Sequence, residues 1–310
     1  GSGCDVIPAY SPQERALSAS DDSQQASATL RLAAGAAMIS LAPVFVRIVD
    51  VPPTASAFYR TFFGGLILVA WLAITPRRNL PSGRTLAWLA LAGVAFAADL
   101  WAWHRSIWYV GPGLATLLAN FQVFVLGLAG IWLFGETGGW RLWLAIPMAL
   151  IGLALIIGFE WSGLSETYRW GIAFGLLTAV FYSSYILALR GSRHTGTPVS
   201  PAAGMAAASL VSAVALAGAA TAGGESLAIP SAGDAGLLAA YALVAQVLGW
   251  ILISGSLKQV PASRVGVILL LQPTLAFVWD VLFFGRDFGV RELAGAVLAL
   301  TAIYIGSRRA

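Results

Sequence analysis

Apolar segments of about twenty residues recur from Leu30 almost to the C-terminus, separated by short polar stretches. An α-helix needs about 20 largely apolar residues to cross the hydrocarbon core of a bilayer. The composition agrees, because 58% of the 310 residues are hydrophobic and only 10% are charged, whereas a soluble domain carries about 25% charged residues. The chain is therefore predicted to be an all-α integral membrane protein.

Ten spans can be placed between turn signals such as Pro52-Pro53, Gly111-Pro112-Gly113 and Gly138-Gly139. Their predicted limits are 31–49, 54–75, 84–108, 113–135, 140–159, 168–190, 200–222, 234–257, 261–285 and 290–307. Residues 1–30 are rich in Ser, Gln, Asp and Pro, and they are predicted to form a disordered cytoplasmic tail because they cannot bury enough apolar surface. No signal peptide is seen, so the first span is expected to act as its own insertion signal.

The basic residues orient the chain. Most of them fall on the side that carries both termini, and this side is predicted to be cytoplasmic in a bacterial inner membrane. They are Arg15, Arg31, Arg77, Arg78, Arg84, Arg141, Arg190, Arg193, Lys258, Arg264, Arg308 and Arg309. The opposite side has only Arg47, Arg105, Arg169, Arg286 and Arg291.

Several function classes are disfavoured by composition. The net charge of +4 comes mainly from arginines at helix ends, so nucleic acid is not expected as a partner. The single Cys4 excludes an internal disulfide framework, and His104 and His194 do not have metal-ligand spacing. We expect no cofactor and no metal. The expected partners are a small-molecule substrate and the lipid bilayer, and a monomer is allowed.

The two halves of the sequence repeat. A shift of 150 positions lays residues 131–135 on residues 281–285 and Gln122 on Gln272, and a shift of 138 lays Arg31 on Arg169. The predicted repeats are 31–160 and 161–310, with five spans each. An odd number of spans per repeat requires opposite insertion, and such inverted repeats commonly support alternating access around a central cavity.

Residues 113–134, the turn Gly135-Glu136 and residues 140–157 resemble the EamA-type module of the ten-helix drug/metabolite transporter superfamily. The resemblance implies a cavity walled by spans one to four and six to nine, with spans five and ten as peripheral supports. The tryptophans and tyrosines of spans three, six and eight resemble those of bacterial aromatic-amino-acid exporters. This resemblance implies alternating-access export of aromatic and other neutral amino acids.

Charged residues inside spans are costly and usually face a bundle interior or a wet cavity. Asp99 in span three and Arg60 in span two are predicted to lie at comparable depth, so an ion pair between them is plausible. Such a pair could merely connect two helices. Alternatively, Asp99 could carry a proton or bind a substrate ammonium, and Asp99 and Arg60 are therefore our coupling or gating candidates.

Aromatic and polar stripes supply the candidate binding residues. Spans six and eight carry Thr178-Tyr182-Tyr185 and Gln246-Trp250-Ser254 at helical spacing, and together with Trp101 and Trp103 of span three they could line an aromatic pocket. Asn120 lies on a small-residue stripe of span four, where helix packing and cavity lining are equally good explanations. The predicted substrate-binding residues are Trp101, Asn120, Tyr182, Tyr185, Gln246, Trp250 and Gln272.

Prolines predict breaks within the spans. Pro273, next to Gln272, should break or kink span nine near the middle of the membrane, and similar breaks are expected at Pro43 in span one and Pro147 in span five. Pro43 and Pro273 are the predicted gating positions, although prolines are common in membrane helices.

Other functions fit the sequence less well. A membrane-embedded enzyme would need a catalytic set, and His104 with Asp99 is the only nearby pair. A channel would need a selectivity signature, which is not seen. Among transporters the main alternative substrate is a lipophilic, drug-like cation, whereas nucleotide sugars would favour more basic residues in the cavity. We therefore predict a transporter and not an enzyme.

Overall fold

The computed structural model of the chain describes residues 12–75, 82–137, 139–158, 161–195, 199–257 and 259–308. The described part of the chain is helical and contains ten helical stretches long and apolar enough to cross a membrane. This confirms the predicted ten-span, all-α architecture. The inverted relation between the two halves stays a prediction.

Fourteen α-helices and one π-helical segment build these spans. Four spans are composite: α1 with α2, α5 with α6, α10 with the π-helical segment and α11, and α12 with α13. The bounds are α1 Pro12–Ser40, α2 Ala42–Ile48, α3 Pro53–Ile74, α4 Gly83–Val110, α5 Pro112–Ala119, α6 Gln122–Phe134, α7 Trp140–Ile157, α8 Glu166–Arg193, α9 Pro201–Ala222, α10 Ala232–Tyr241, π-helix Ala242–Leu248, α11 Gly249–Ser256, α12 Ala262–Leu269, α13 Leu271–Phe284 and α14 Val290–Ser307.

The N-terminal region differs from the sequence prediction. A disordered segment was predicted up to residue 30, whereas α1 already begins at Pro12; residues 1–11 of the predicted tail lie outside the described residues. Ala28 and Leu32 are fully buried in a cluster with Ile253 and Val260. Contacts with a distant part of the chain therefore stabilise a helix that local composition does not favour.

Three spans are interrupted near their middle. Span one breaks at Leu41, just before Pro43, and span nine breaks at Leu270, three residues before Pro273. Proline removes one helical N–H donor and clashes with the preceding turn, which explains both breaks. The break predicted at Pro147 in span five is wrong, since α7 continues through this residue; membrane helices tolerate an interior proline where neighbouring groups satisfy the freed backbone. Span four breaks at Asn120, which the 150-residue shift lays on Leu270. The two halves thus share a break at equivalent positions, although span four has no proline there.

The spans pack in pairs that join the two halves. Spans three and six, five and ten, two and seven, and one and eight form the most extensive contacts between helices. The fifth and tenth spans, α7 and α14, approach closely at Gly152 and Gly295, where a Cβ on either glycine would lie under 3.0 Å from the backbone of the other helix. Small residues commonly permit such close packing between membrane helices.

Alternating helix directions define two ends of the bundle. We call the end that carries the connections after α2, α4, α7, α9 and α13 the distal end, and the end that carries both termini the terminal end. The basic residues used to orient the chain fall largely at the terminal end. Of these, Arg77, Arg78, Lys258 and Arg309 lie outside the described residues.

Candidate functional site

A group of hydrogen-bonded polar side chains is buried in the distal half of the spans. The Arg60 guanidinium, in α3, donates from Nε to Gln246 Oε1 at 2.8 Å and from Nη1 to the Tyr241 hydroxyl at 3.0 Å. That hydroxyl lies 3.2 Å from His104 Nε2, while His104 Nδ1 lies 2.7 Å from the Leu100 carbonyl oxygen. A carbonyl can only accept, so Nδ1 carries a proton and neutral His104 accepts from Tyr241 at Nε2.

Ser209 completes this group, because its hydroxyl oxygen accepts from Gln246 Nε2 at 2.9 Å. We call Arg60, His104, Ser209, Tyr241 and Gln246 the Arg60 cluster. All five side chains are buried. Two of them come from the first half of the chain and three from the second, so the cluster spans the contact between the halves.

The π-helical segment Ala242–Leu248 explains how one span supplies two ligands to the same guanidinium. In a regular α-helix, residues five positions apart such as Tyr241 and Gln246 do not share a face. Because a π-helix is wound with i→i+5 hydrogen bonds, residues five apart come close to alignment. Tyr241 and Gln246 therefore both reach Arg60.

Gly64 gives Gln246 the space to approach α3. It lies one helical turn after Arg60, and a Cβ at this position would be only 2.5 Å from Gln246 Cγ. Without a side chain at residue 64, the Gln246 amide packs directly on the helix and meets the Arg60 Nε. The glycine therefore positions the amide next to the guanidinium.

Aromatic rings surround the guanidinium. Its central carbon lies 5.2 Å from the ring centroid of Tyr241, 5.7 Å from that of Trp103 and 5.9 Å from that of Phe96. Such distances permit cation–π attraction, which is stronger in a desolvated setting. The indole Nε1 of Trp103 is buried and has no hydrogen-bond partner in the described part of the chain.

Asp99 lies beside this aromatic region on the same face of α4 as Phe96 and Trp103. It is 5% exposed, and it interacts electrostatically with Arg60 and with the two predicted site residues Tyr182 and Tyr185. The ring of Tyr185 stacks on Phe96 at 4.8 Å and lies 5.7 Å from the ring of Tyr182. The structure thus brings both tyrosines of span six to Asp99.

The stripes of spans six and eight also meet, through Met205. Its sulfur lies 3.9 Å from the Tyr185 hydroxyl and 3.5 Å from Gln246 Nε2. Five of the predicted site residues are consequently gathered in one region of the bundle, namely Arg60, Asp99, Tyr182, Tyr185 and Gln246.

The direct ion pair between Arg60 and Asp99 is not seen. No guanidinium nitrogen of Arg60 lies within 4.0 Å of a carboxylate oxygen in the described residues. Gln246 and Tyr241 occupy the nearest hydrogen-bonding positions on the guanidinium instead. The two groups therefore interact at longer range.

Trp101 belongs to a different site. It points away from the Asp99 face of α4 and packs edge-to-face on Phe174 at 5.4 Å. The Arg105 guanidinium lies 4.1 Å from its ring centroid. Trp101 and Arg105 are four residues apart and share one helix face, whereas Phe96, Asp99 and Trp103 define another. The predicted grouping of Trp101 with the tyrosines therefore differs from the structure.

Arg105 forms part of a polar group at the distal end. It donates to Glu225 Oε1 at 2.5 Å and to the Thr54 hydroxyl at 3.0 Å. The second oxygen of Glu225 accepts from the Thr54 backbone N–H at 3.0 Å, which satisfies a free donor at the start of α3. We call Thr54, Arg105 and Glu225 the Glu225 cluster.

A second polar group closes the distal end beside α5. Asp280 Oδ2 accepts from the Gly113 backbone N–H at 3.1 Å and from Arg286 Nη1 at 3.3 Å. Arg286 also donates to the Val110 carbonyl oxygen at 2.6 Å. Gly111 adopts φ +88°, and a Cβ there would lie 2.8 Å from the Asp280 carboxylate. We call Asp280, Arg286 and their two backbone partners the Asp280 cluster.

Four other predicted site residues lie at the helix breaks. Pro43 is in the first turn of α2, Gln272 and Pro273 are in the first turn of α13, and Asn120 separates α5 from α6. The Asn120 amide donates to the Thr116 carbonyl oxygen of its own helix at 2.8 Å. The structure therefore gives Asn120 a local role at the break, and a contact between it and a substrate stays a prediction.

Trp250, on α11, is half-buried, and its indole Nε1 has no hydrogen-bond partner in the described part of the chain. Its predicted role in binding also stays a prediction.

Two clefts, of about 390 Å³ and 280 Å³, open at the terminal end of the bundle. Neither of these two clefts is lined by a residue of the Arg60 cluster, whose five side chains are all buried.

Sequence reasoning missed Tyr241 as a site residue and gave His104 no role in transport. Tyr241 falls outside the α-helical stripe through Gln246 and Trp250, and only the π-helical winding brings it to Arg60. Glu225 was missed because it lies in a connection. The available signal was its acidic charge in a connection on the same side of the membrane as Arg105 of span three and the helix start at Thr54 of span two.

Comparison with known proteins supports the architecture. One relative, an uncharacterized transporter of Synechocystis sp. (strain ATCC 27184 / PCC 6803 / Kazusa), is 26% identical over 160 residues, covering 50% of this chain and 46% of that protein. The chain thus aligns with about half the length of this curated relative. A solved crystal structure with 17% sequence identity superposes with a TM-score of 0.61, covering 90% of this chain and 98% of the other, and shows that the fold is shared.

The family match is more extensive. The EamA-like transporter family matches residues 27–158 and again residues 169–308, so each match contains five of the ten spans. Buried polar side chains from both matched segments meet in the Arg60 cluster, as expected when a transport site lies between two halves. This chain belongs to the EamA-like transporter family.

Proposed function

We propose that this transporter exports aromatic and other neutral amino acids across a bacterial inner membrane by alternating access. The observation that carries the proposal is the Arg60 cluster, in which a buried guanidinium of the first half is held by two polar residues of the second half and surrounded by aromatic rings. A substrate with a polar head and a flat or aliphatic side chain would match this combination.

The proposed orientation in the membrane rests on charge. Basic residues gather at the terminal end, and the positive-inside rule favours placing that end in the cytoplasm. Arg84, Arg190 and Arg193 are described residues at this end. With both termini inside, the distal polar clusters face the outside of the cell.

Lipophilic cations are the competing substrates. Asp99 and the aromatic rings favour a cation, because a carboxylate and a π-face both attract positive charge. Arg60 opposes this reading, since its buried positive charge repels a cation in a low-dielectric setting. The balance of these two charges favours an amino acid, which carries one charge of each sign.

Exchange transport in proteoliposomes tests the proposal. The purified protein would be reconstituted with unlabelled amino acids inside, and uptake of labelled phenylalanine, tryptophan, leucine, glutamate and tetraphenylphosphonium would be followed with and without a pH gradient. We expect saturable exchange of the aromatic and aliphatic amino acids. Exchange of tetraphenylphosphonium alone would replace this proposal with cation export.

A matched pair of arginine variants links flux to the cluster. Arg60→Gln should reduce phenylalanine exchange about tenfold or more, because charge-assisted hydrogen bonds contribute about 1.5–3 kcal/mol. Arg84→Gln is the control, since Arg84 is exposed at the terminal end. Equal flux through the wild type and Arg60→Gln would contradict a role for the cluster.

A further inference from the structure

We propose that Arg60 and Asp99 together form a two-point receptor for a zwitterion, in which Arg60 binds the carboxylate of the substrate and Asp99 binds its ammonium group. This inference rests on the proposed amino-acid transport and adds the basis of selection. The carrier would choose substrates by their paired charges, and the aromatic rings would accept a range of side chains.

Arg60 has the properties of a carboxylate receptor. Its side chain is 4% exposed, and its hydrogen-bond acceptors, Gln246 and Tyr241, are both uncharged. Its Nη2 donates no hydrogen bond to the described part of the chain, and no described carboxylate lies within 4.0 Å of the guanidinium. Buried arginines are normally paired with an anion, so this group fits an anionic ligand.

Trp103 provides a second donor at the same place. Its ring centroid lies 5.7 Å from the guanidinium carbon of Arg60, and its buried Nε1 has no partner in the described residues. Buried indole N–H groups usually find an acceptor. A substrate carboxylate has two acceptor oxygens and could satisfy both the guanidinium and the indole.

Asp99 has the complementary properties. It is 5% exposed, and the described residues give its carboxylate neither a hydrogen bond nor an ion pair within 4.0 Å. It nevertheless interacts electrostatically with Arg60 and with Tyr182 and Tyr185. A cation near Asp99 would meet a carboxylate and aromatic faces together, which is a favourable setting for an ammonium group.

The separation between the two charges supports a shared ligand. Arg60 and Asp99 are close enough to interact yet remain more than 4.0 Å apart. A direct ion pair would leave neither charge available to a ligand. Gln246 holds the Arg60 guanidinium in place and is itself fixed by Ser209, so the receptor geometry is set by both halves of the chain.

Single-charge analogues of phenylalanine distinguish this receptor from a purely aromatic pocket. Phenethylamine keeps the ammonium group, and 3-phenylpropionate keeps the carboxylate. Each would compete with labelled phenylalanine in the exchange assay. We expect each analogue to compete about tenfold or more weakly than unlabelled phenylalanine with the wild type, because each leaves one buried charge unpaired.

Two variants should change the preference in opposite directions. With Asp99→Asn, the advantage of phenylalanine over 3-phenylpropionate should fall about tenfold, while its advantage over phenethylamine remains. With Arg60→Gln, its advantage over phenethylamine should fall by a similar factor. Asp99→Glu and Arg60→Lys keep the charges and should therefore restore much of the wild-type preference for phenylalanine over the two analogues. If size-exclusion chromatography shows that a neutral variant does not fold, the corresponding charge-conserving variant is measured in its place.

The outcomes separate the two proposals. Amino-acid exchange in which both analogues compete as well as phenylalanine would overturn the two-point receptor and leave amino-acid transport intact. Variants that weaken competition by all three compounds equally would overturn it as well. Absence of exchange for every amino acid tested would overturn the proposed function and this inference with it.

Discussion

The distal and terminal ends of the bundle are joined by contacts of different kinds. At the distal end, the Arg105–Glu225 ion pair joins the two halves, and Asp280 and Arg286 of the second half bond to the backbone of Gly113 and Val110 in the first. These four charged side chains are 4–19% exposed. At the terminal end, the Arg190–Glu136 pair is 3.9 Å long, and its two side chains are 50% and 47% exposed. The hydrogen bond from Arg31 to Gln259 is also exposed.

This difference shows which end is harder to separate. An exposed ion pair contributes about 0–1 kcal/mol, because water screens the charges and the side chains lose entropy. The distal pairs are part-buried, so water screens them less, and removing one partner leaves the other charge poorly compensated. The distal ion pairs are therefore expected to hold the helices together more firmly than the exposed pair of the terminal end.

The largest expected effect is at Glu225. Glu225→Gln would leave Arg105 without its counter-charge and weaken the bond to the Thr54 N–H, so the distal end should open more often. A cysteine at Ser56, which is fully buried in α3, reports this opening when Cys4 is replaced by serine. We expect a polar maleimide to label Ser56→Cys about tenfold or more faster in the Glu225→Gln background, as measured by mass spectrometry of detergent-solubilised protein.

Glu136→Gln in the same reporter background is the control, since Glu136 pairs only at the exposed terminal end. An unchanged labelling rate in the Glu225→Gln variant would show that the Glu225 cluster does not close the distal end.

A smaller effect is expected at Gly111. Gly111→Ala would place a side chain at φ +88° and bring its Cβ to 2.8 Å from Asp280 Oδ2. An L-residue in such a conformation costs about 1–3 kcal/mol, and the Asp280 carboxylate would have to shift. We expect a lower midpoint of thermal unfolding in detergent, by several degrees.

Gly83→Ala is the matched control, because a Cβ at this first residue of α4 meets nothing within 4 Å. If the two alanine variants unfolded at the same temperature, the Asp280 cluster would not depend on the backbone geometry at Gly111.

The smallest effect is expected at Arg190. Arg190→Gln removes the exposed pair with Glu136 and should change the free energy of unfolding by less than about 1 kcal/mol. The labelling rate of the Ser56→Cys reporter should change by less than about twofold. An effect as large as that of Glu225→Gln would remove the distinction between the two ends.

Several residues that the sequence marks as candidates lie together in the structure. Arg60, Asp99, Tyr185 and Gln246 stood out because polar groups in apolar spans are costly and therefore informative, and the structure gathers them in one region. Trp101 stood out for its aromatic ring and its depth. The structure assigns it to Arg105 instead, because helical position on α4 decides which neighbour a ring meets.

The sequence by itself determined that this chain forms ten membrane spans and where two of them break, since bilayer thickness fixes the length of an apolar helix and proline disrupts its hydrogen bonds. Tertiary structure alone decided which polar side chains meet. Arg60 and Gln246 are 186 residues apart in the chain, and their contact depends on the π-helical winding beside Tyr241 and on the absence of a side chain at Gly64. Such contacts depend on the packing of whole spans, which no local pattern of residues encodes.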